Sequence, residues 1–197
     1  MAGFDAVAAV GDSLVRLLNL AFEVVPPVAA GSTRAALVRT DDLLEAQRPA
    51  LVGANGLSVL LYRIDFDKTT RASWSGTSTQ DGRSHLALDL HYLLTAWSTS
   101  AAFEHAILGR AMQALEDAPV LAGPLLAAAG GFAPQEALQL MLEDISTEAL
   151  MRIFDSLPVD YRLSVPYIVR VLRIDGQRAA ADPTVRRAFG GVQPGLA

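Results

Sequence analysis

Leu57-Ser58-Val59-Leu60-Leu61-Tyr62-Arg63-Ile64-Asp65-Phe66 and, after a polar gap, Ser84-His85-Leu86-Ala87-Leu88-Asp89-Leu90-His91-Tyr92-Leu93-Leu94-Thr95-Ala96-Trp97 are the two runs on which the fold turns. In the second, Leu86, Leu88, Leu90, Tyr92 and Leu94 recur at period two, which makes a long strand with one wholly apolar face. Its other face carries Ala87, Asp89, His91, Leu93, Thr95 and Trp97, and so mixes charge with apolar bulk. The first run is short, rich in apolar and aromatic residues and preceded by Asn55-Gly56, and also reads as a strand. Lys68 to Arg83 between them holds serine, threonine and glycine around Trp74, the composition of a long polar hairpin loop.

Upstream, Val7, Val10, Leu14, Leu17, Leu18 and Ala21 fall at three- and four-residue spacings, an amphipathic helix that Pro26-Pro27 ends. Val28 to Pro49 is a connector, with a short extended segment at Ala35–Arg39 and a turn of helix at Asp41–Gln47. Downstream, Ser98, Thr99 and Ser100 offer N-caps for a helix from Ala101 to Asp117 with a buried stripe of Phe103, Ile107, Ala111 and Leu115. Ala137 to Ile145 is ambiguous: Leu138, Leu140 and Leu142 alternate, whereas its Ala, Gln, Met and Glu favour helix. The strand reading is preferred, because Ser146 or Thr147 starts a fresh helix that Pro158 stops. Tyr161 to Asp175 alternates again, with Pro166 implying an edge or a bulge. The expected fold is α/β (α+β): a mixed, largely antiparallel sheet of about four to five strands flanked by helices.

The chain of 197 residues is 51% hydrophobic, with 16 basic against 21 acidic residues and no cysteine. That suits one domain, expected over residues 1–175, followed by a tail or docking arm at 176–197 with no appended second module. Disorder throughout is excluded by the apolar content. The mean hydropathy of +0.30 raises the question of a membrane span. The longest uncharged run, Ala118 to Gln135, is broken by Pro119, Pro124, Pro134 and three glycines, so no span is expected. A net charge of −5 argues against nucleic acid as a partner. Without cysteine there is no thiolate metal site or cysteine nucleophile.

Gly11-Asp12-Ser13-Leu14 spells the block that names the GDSL esterases, with Ser13 as nucleophile. Here it interrupts an amphipathic helix, and the late Asp-x-x-His that would activate the hydroxyl is missing, since the last histidine is His105. A small Ser13 esterase therefore stands only as the alternative. Asp89, His91 and His105 are the other acid-and-imidazole grouping. Asp89 and His91 share a strand face, yet without motif spacing they read as polar residues of a half-exposed strand. No glycine-rich phosphate loop is present, and no cofactor or metal is expected.

Leu57–Arg63, Leu86–Trp97, the helix Glu104-His105-Ala106-Ile107-Leu108-Gly109-Arg110-Ala111 and the late Tyr161-Arg162-Leu163-Ser164-Val165-Pro166-Tyr167 together resemble a specific family. It is the N-terminal domain of the cap, or tail-terminator, proteins of contractile injection systems. The resemblance implies a phage tail-terminator-like fold and a structural role rather than catalysis. It implies a ring, expected as a homohexamer, at the distal end of the particle, ending inner-tube polymerisation and holding the last sheath layer. Tube and sheath proteins are then the partners. The chain would be cytoplasmic during assembly and later part of a particle that can be released. Another connector or adaptor of a phage-like tail is the neighbouring alternative. Trp74 in the hairpin, and Arg186, Arg187 and Phe189 in the tail, are the expected interface residues.

Overall fold

The computed structural model describes residues 2–29, 32–69 and 83–179. They form six strands, β1 (Arg34–Val38), β2 (Gly56–Phe66), β3 (Arg83–Trp97), β4 (Val120–Ala122), β5 (Ala137–Leu142) and β6 (Ser164–Ala179). The helices are α1 (Ala6–Val24), α2 (Arg48–Val52), α3 (Ala101–Glu116) and α4 (Thr147–Asp155). All strands join one sheet in the order β1-β2-β3-β6-β5-β4. Only β1 and β2 run parallel; every other pair is antiparallel. The mixed, largely antiparallel sheet is thus the expected one, with six strands instead of four to five. The extra strand, β4, has three residues, too few to show a period.

β3 lies at the centre, and its alternation decides both layers. Leu88, Leu90, Tyr92, Leu94 and Ala96 face α1 and α3, where they join Val10, Leu14, Leu18, Ile107, Ala111 and Leu115 in the main core. Burying each such large side chain contributes about 1.5–3 kcal/mol, which is why a period-two and a period-3.6 pattern lock together here. Leu93 and Trp97 point the other way, into a second core with Val38, Leu60, Val52 of α2 and Phe154 of α4. The α3 stripe differs from expectation at its start: Phe103 remains 38% exposed, because the helix buries residues only from Ile107 onward.

β5 is a strand despite its helix-forming composition, since Gln139–Leu142 pair with β6 and Val120–Ala122 pair along Ala137–Gln139. Ladder pairing overrides propensity. Pro166 departs from expectation, for β6 is interior. It pairs with Leu93, and its carbonyl accepts from the Glu143 N–H at 3.0 Å. The N–H that proline lacks would point to the same side, at the last rung of the pairing with β5, so the interior strand forgoes a single terminal bond there. The irregularities in β6 fall instead between Val169 and Leu172 and between Asp175 and Ala179.

At the other side of the sheet β1 stops at Val38, opposite Leu60. The cause is local: Arg39 N–H donates to Asp42 Oδ2 at 2.9 Å, while the Arg39 guanidinium bonds Asp42 Oδ1 at 2.8 Å. This pair turns the chain into a 3-10 turn, and the guanidinium holds the Asp42 carboxyl at about 2. Among the described residues no strand pairs with the outer edge of β2 beyond Leu60.

β1 is fastened from behind by α1. The Asn19 amide donates to the Ala35 carbonyl at 3.0 Å and its oxygen accepts from the Ala35 N–H at 2.9 Å, so one side chain satisfies both outward groups of an edge residue. Gly11 lets the two elements close, since a Cβ there would meet Leu37 Cδ2 at 2.9 Å. Replacing Asn19 by alanine leaves two backbone groups unpaired and is expected to cost about 1–3 kcal/mol in urea unfolding. Faster hydrogen exchange of the Ala35 amide would mark β1 as the site of the loss.

Candidate functional site

The second face of the sheet is only half covered. α2 and α4 lie over Leu60, Leu93 and Trp97, while Arg63, Asp65, Asp89, His91 and Arg170 remain on the open half. Two bulges aim the arginines there. The β2–β3 register shifts between Leu61 and Arg63, so Leu61 pairs with Tyr92 and Arg63 with His91. The β3–β6 register shifts so that Leu88 pairs with Leu172 and Leu90 with Val169, which sets Arg170 in a bulge. The β6 irregularity lies opposite Asp89 and the β2 one opposite the step from His91 to Tyr92, and each re-aims the side chains around it.

Glu143, just past β5, gathers three partners from two strands. Tyr62 Oη donates to its Oε2 at 2.8 Å, and Arg63 Nη2 donates to its Oε1 at 3.0 Å. His91 Nδ1 lies 2.8 Å from the same Oε1; a carboxylate only accepts, so this nitrogen is the donor. Burial, then the Glu143 hydrogen bond, pushes the Tyr62 hydroxyl well above its ordinary value. Glu143 therefore clamps the segment leading into α4 onto β2 and β3.

Asp65 and Asp89 stand directly opposite each other across β2 and β3, a like-charge pair that needs cations. Arg63 Nε sits 3.1 Å from Asp65 Oδ2. Arg170 bonds Asp67 Oδ2 at 2.7 Å and reaches Asp89 Oδ1 only at 3.5 Å. Asp89 is thus the least compensated acid of the group. Burial raises its pKa, with Arg170 opposing. A separate buried pair joins His85 Nδ1 to Asp175 Oδ1 at 2.6 Å, with Arg173 Nε 2.7 Å from the same oxygen.

Asp89 and His91 do share one face, but each is engaged by a different partner. His105 is exposed on α3, across the sheet from both. The three form no common centre. Among the described residues no group of three or more His, Asp or Glu side chains comes together to hold a metal ion. Ser13 is fully buried inside α1, where its hydroxyl donates to the Ala9 carbonyl at 2.6 Å and accepts from the Ala127 N–H at 2.8 Å. The Gly-Asp-Ser-Leu block is therefore a tether between α1 and the segment after β4, not a nucleophile. Trp74, Arg186, Arg187 and Phe189 lie outside the described residues. Sequence reading missed Glu143, Arg63 and Arg170. The only available signal was charge inside otherwise apolar strand patterns.

The chemistry of this face is adhesion: carboxylates, guanidinium groups and an imidazole pair with one another and hold a loop to a sheet. The sequence matches the family described as the Pvc16 N-terminal domain over residues 9–187. In fold the chain is similar to the sheath/tube terminator, in the extended state, of an extracellular contractile injection system, PVC. Identity is 20%, the TM-score 0.57, and the match covers 97% of this chain and 64% of that one. It is also similar to the tube-terminating cap of the anti-feeding prophage, at 19% identity and a TM-score of 0.52, over 96% of this chain and 60% of that one. The chain thus spans under two thirds of the length of either structure. No curated protein matches the sequence. No helix among the described residues is long and apolar enough to cross a membrane.

Two substitutions test the face. Glu143→Ala strands Tyr62, Arg63 and His91 and is expected to cost about 2–3 kcal/mol, less than a wholly buried pair because Arg63 is half exposed. Asp89, whose folded pKa is raised, binds more protons folded than unfolded, so its contribution to stability falls as pH rises upward from its ordinary 3.8. Asp89→Asn should flatten that fall in a pH series of thermal midpoints and leave the protein at least as stable at pH 7.

Proposed function

The chain belongs to the Pvc16 N-terminal domain family, and on that premise we propose that it is a terminator subunit of a contractile injection system. It forms a ring, in our reading of six copies, on the distal end of the inner tube, ends tube growth and anchors the last layer of sheath. The observation that carries this reading is the extent of the likeness: almost the whole chain follows the fold of one sheath/tube terminator and one tube-terminating cap. The surface supports it. Phe4 is 74% and Val24 78% exposed, apolar area that a lone subunit leaves in water and a ring contact would bury. The open charged face supports a structural part as well, since its ionisable groups are spent on holding elements together. Assembly takes place in the cytoplasm, and the subunit then travels with the particle. Trp74 in the β2–β3 connection and Arg186, Arg187 and Phe189 belong to the proposed contact surface.

Particles made without this chain are expected to carry tubes of uneven, greater length and to lose sheath from the distal end. Length distributions from negative-stain images read this directly. Particles of wild-type length with intact sheath would overturn the proposal.

A further inference from the structure

The two ends of α1 carry complementary surfaces. At its C-terminal end Leu20 is 51% and Val25 53% exposed, and with Val24 and the exposed Pro26 they make a contiguous apolar patch. Beside its N-terminal end lies a depression of about 630 Å³ with apolar walls from Phe4, Ala8, Leu37 and Leu61. One surface offers apolar side chains to a neighbour, and the other offers apolar room for them.

Their polar groups are complementary too. Pro26 and Pro27 stand four residues after Phe22 and Glu23 and have no N–H, so these two carbonyls of the last turn lack their helical donors. The depression holds the reverse: Tyr92 lines it, fully buried, with a hydroxyl that has no hydrogen-bond partner. Charge does not oppose the match. Beside the patch are the exposed Glu23 and the Arg110 guanidinium, which donates to the Ala21 carbonyl at 3.0 Å. Around the depression are Asp5 and the bonded pair of Arg39 and Asp42. A patch with one acid and one base is neutral overall, so the acid excess around the depression does not repel it.

One molecule cannot join its own two surfaces. Leu20 follows Gly11 by about two and a half helical turns, so it stands on the opposite side of α1 from the depression that Gly11 lines. Val24 is also about 24 Å along the axis from Ala8. A two-fold pair of molecules cannot join both surfaces at once, because they face opposite ways. We infer that the Leu20–Val25 patch of each copy docks in the depression between α1 and Leu37 of the next copy. The inference rests on the ring-forming reading above and gives the ring contact a direction. It is heterologous, running from the end of one α1 to the start of the next, until the last patch meets the first depression.

The absence of cysteine makes the test clean. Ala8→Cys and Val24→Cys each put one thiol at an exposed position, one in the depression and one in the patch. Mixed and treated with a short bis-maleimide, the two full-length proteins are expected to give a cross-linked heterodimer. A chain with both substitutions should give a ladder of oligomers that ends at the closed ring, since its own thiols are too far apart to be linked. Val24→Asp/Val25→Asp should weaken self-association about ten-fold or more in sedimentation, and Phe4→Asp likewise, with Val24→Ile close to wild type. Thermal midpoints should change little, because these side chains are exposed. Rings that form with neither heterodimer nor ladder overturn the contact and leave the ring intact. A covalent dimer from either single-thiol protein alone marks a two-fold contact and overturns it too. A wild-type chain that neither associates nor cross-links overturns both the contact and the ring.

Discussion

A fifteen-residue strand with neighbours along both edges has to settle two faces over its whole length, and β3 sets this condition for the rest of the molecule. On one face it does so from Leu88 to Ala96, with leucines and Tyr92 under α1 and α3. On the other it changes character partway, apolar at Leu93 and Trp97, charged at Asp89 and His91. The helices follow that division: α2 and α4 occupy the apolar half and leave the charged half to be covered by its own side chains. A uniformly apolar second face would have called for that helical layer to run along the full sheet, whereas among the described residues it covers only the apolar half.

The charged half is costly by itself, with two aspartates opposed across adjacent strands. Bulges on both neighbours of β3 answer it by bringing one arginine from each side. Because Arg63 also bonds Glu143, the same compensation fastens the segment that carries α4. Electrostatics and topology are coupled here: the ion pairs that quiet the open face also fix where the second core begins.

The periodic elements were legible from residues alone. α1, β2, β3, α4 and the choice of strand for β5 all follow from spacing and caps, as does the largely antiparallel sheet. β4 was not legible, because three residues carry no period. Neither was Glu143, whose partners Tyr62 and His91 are distant in sequence and meet it only because the chain crosses the sheet after β5. Pro166 misled for a physical reason: a missing donor marks an edge only if the ladder continues past it on that side, and here it falls on the last rung, where one bond is forgone. Ser13 shows how a four-residue match misleads. The letters agree with an esterase block, while helical backbone and full burial give the hydroxyl to structure.

The Asn19 amide has a bearing on solubility. The outward groups of β1 belong to Ala35 and Leu37, and Asn19 already occupies those of Ala35. A side chain that mimics a strand at this position denies the row to indiscriminate stacking, the route by which open sheet edges grow into fibres. A particle component made in many copies is exposed to that hazard at every synthesis. By sealing one end of the edge from within, the fold limits lateral growth of the sheet there without giving up the edge strand itself.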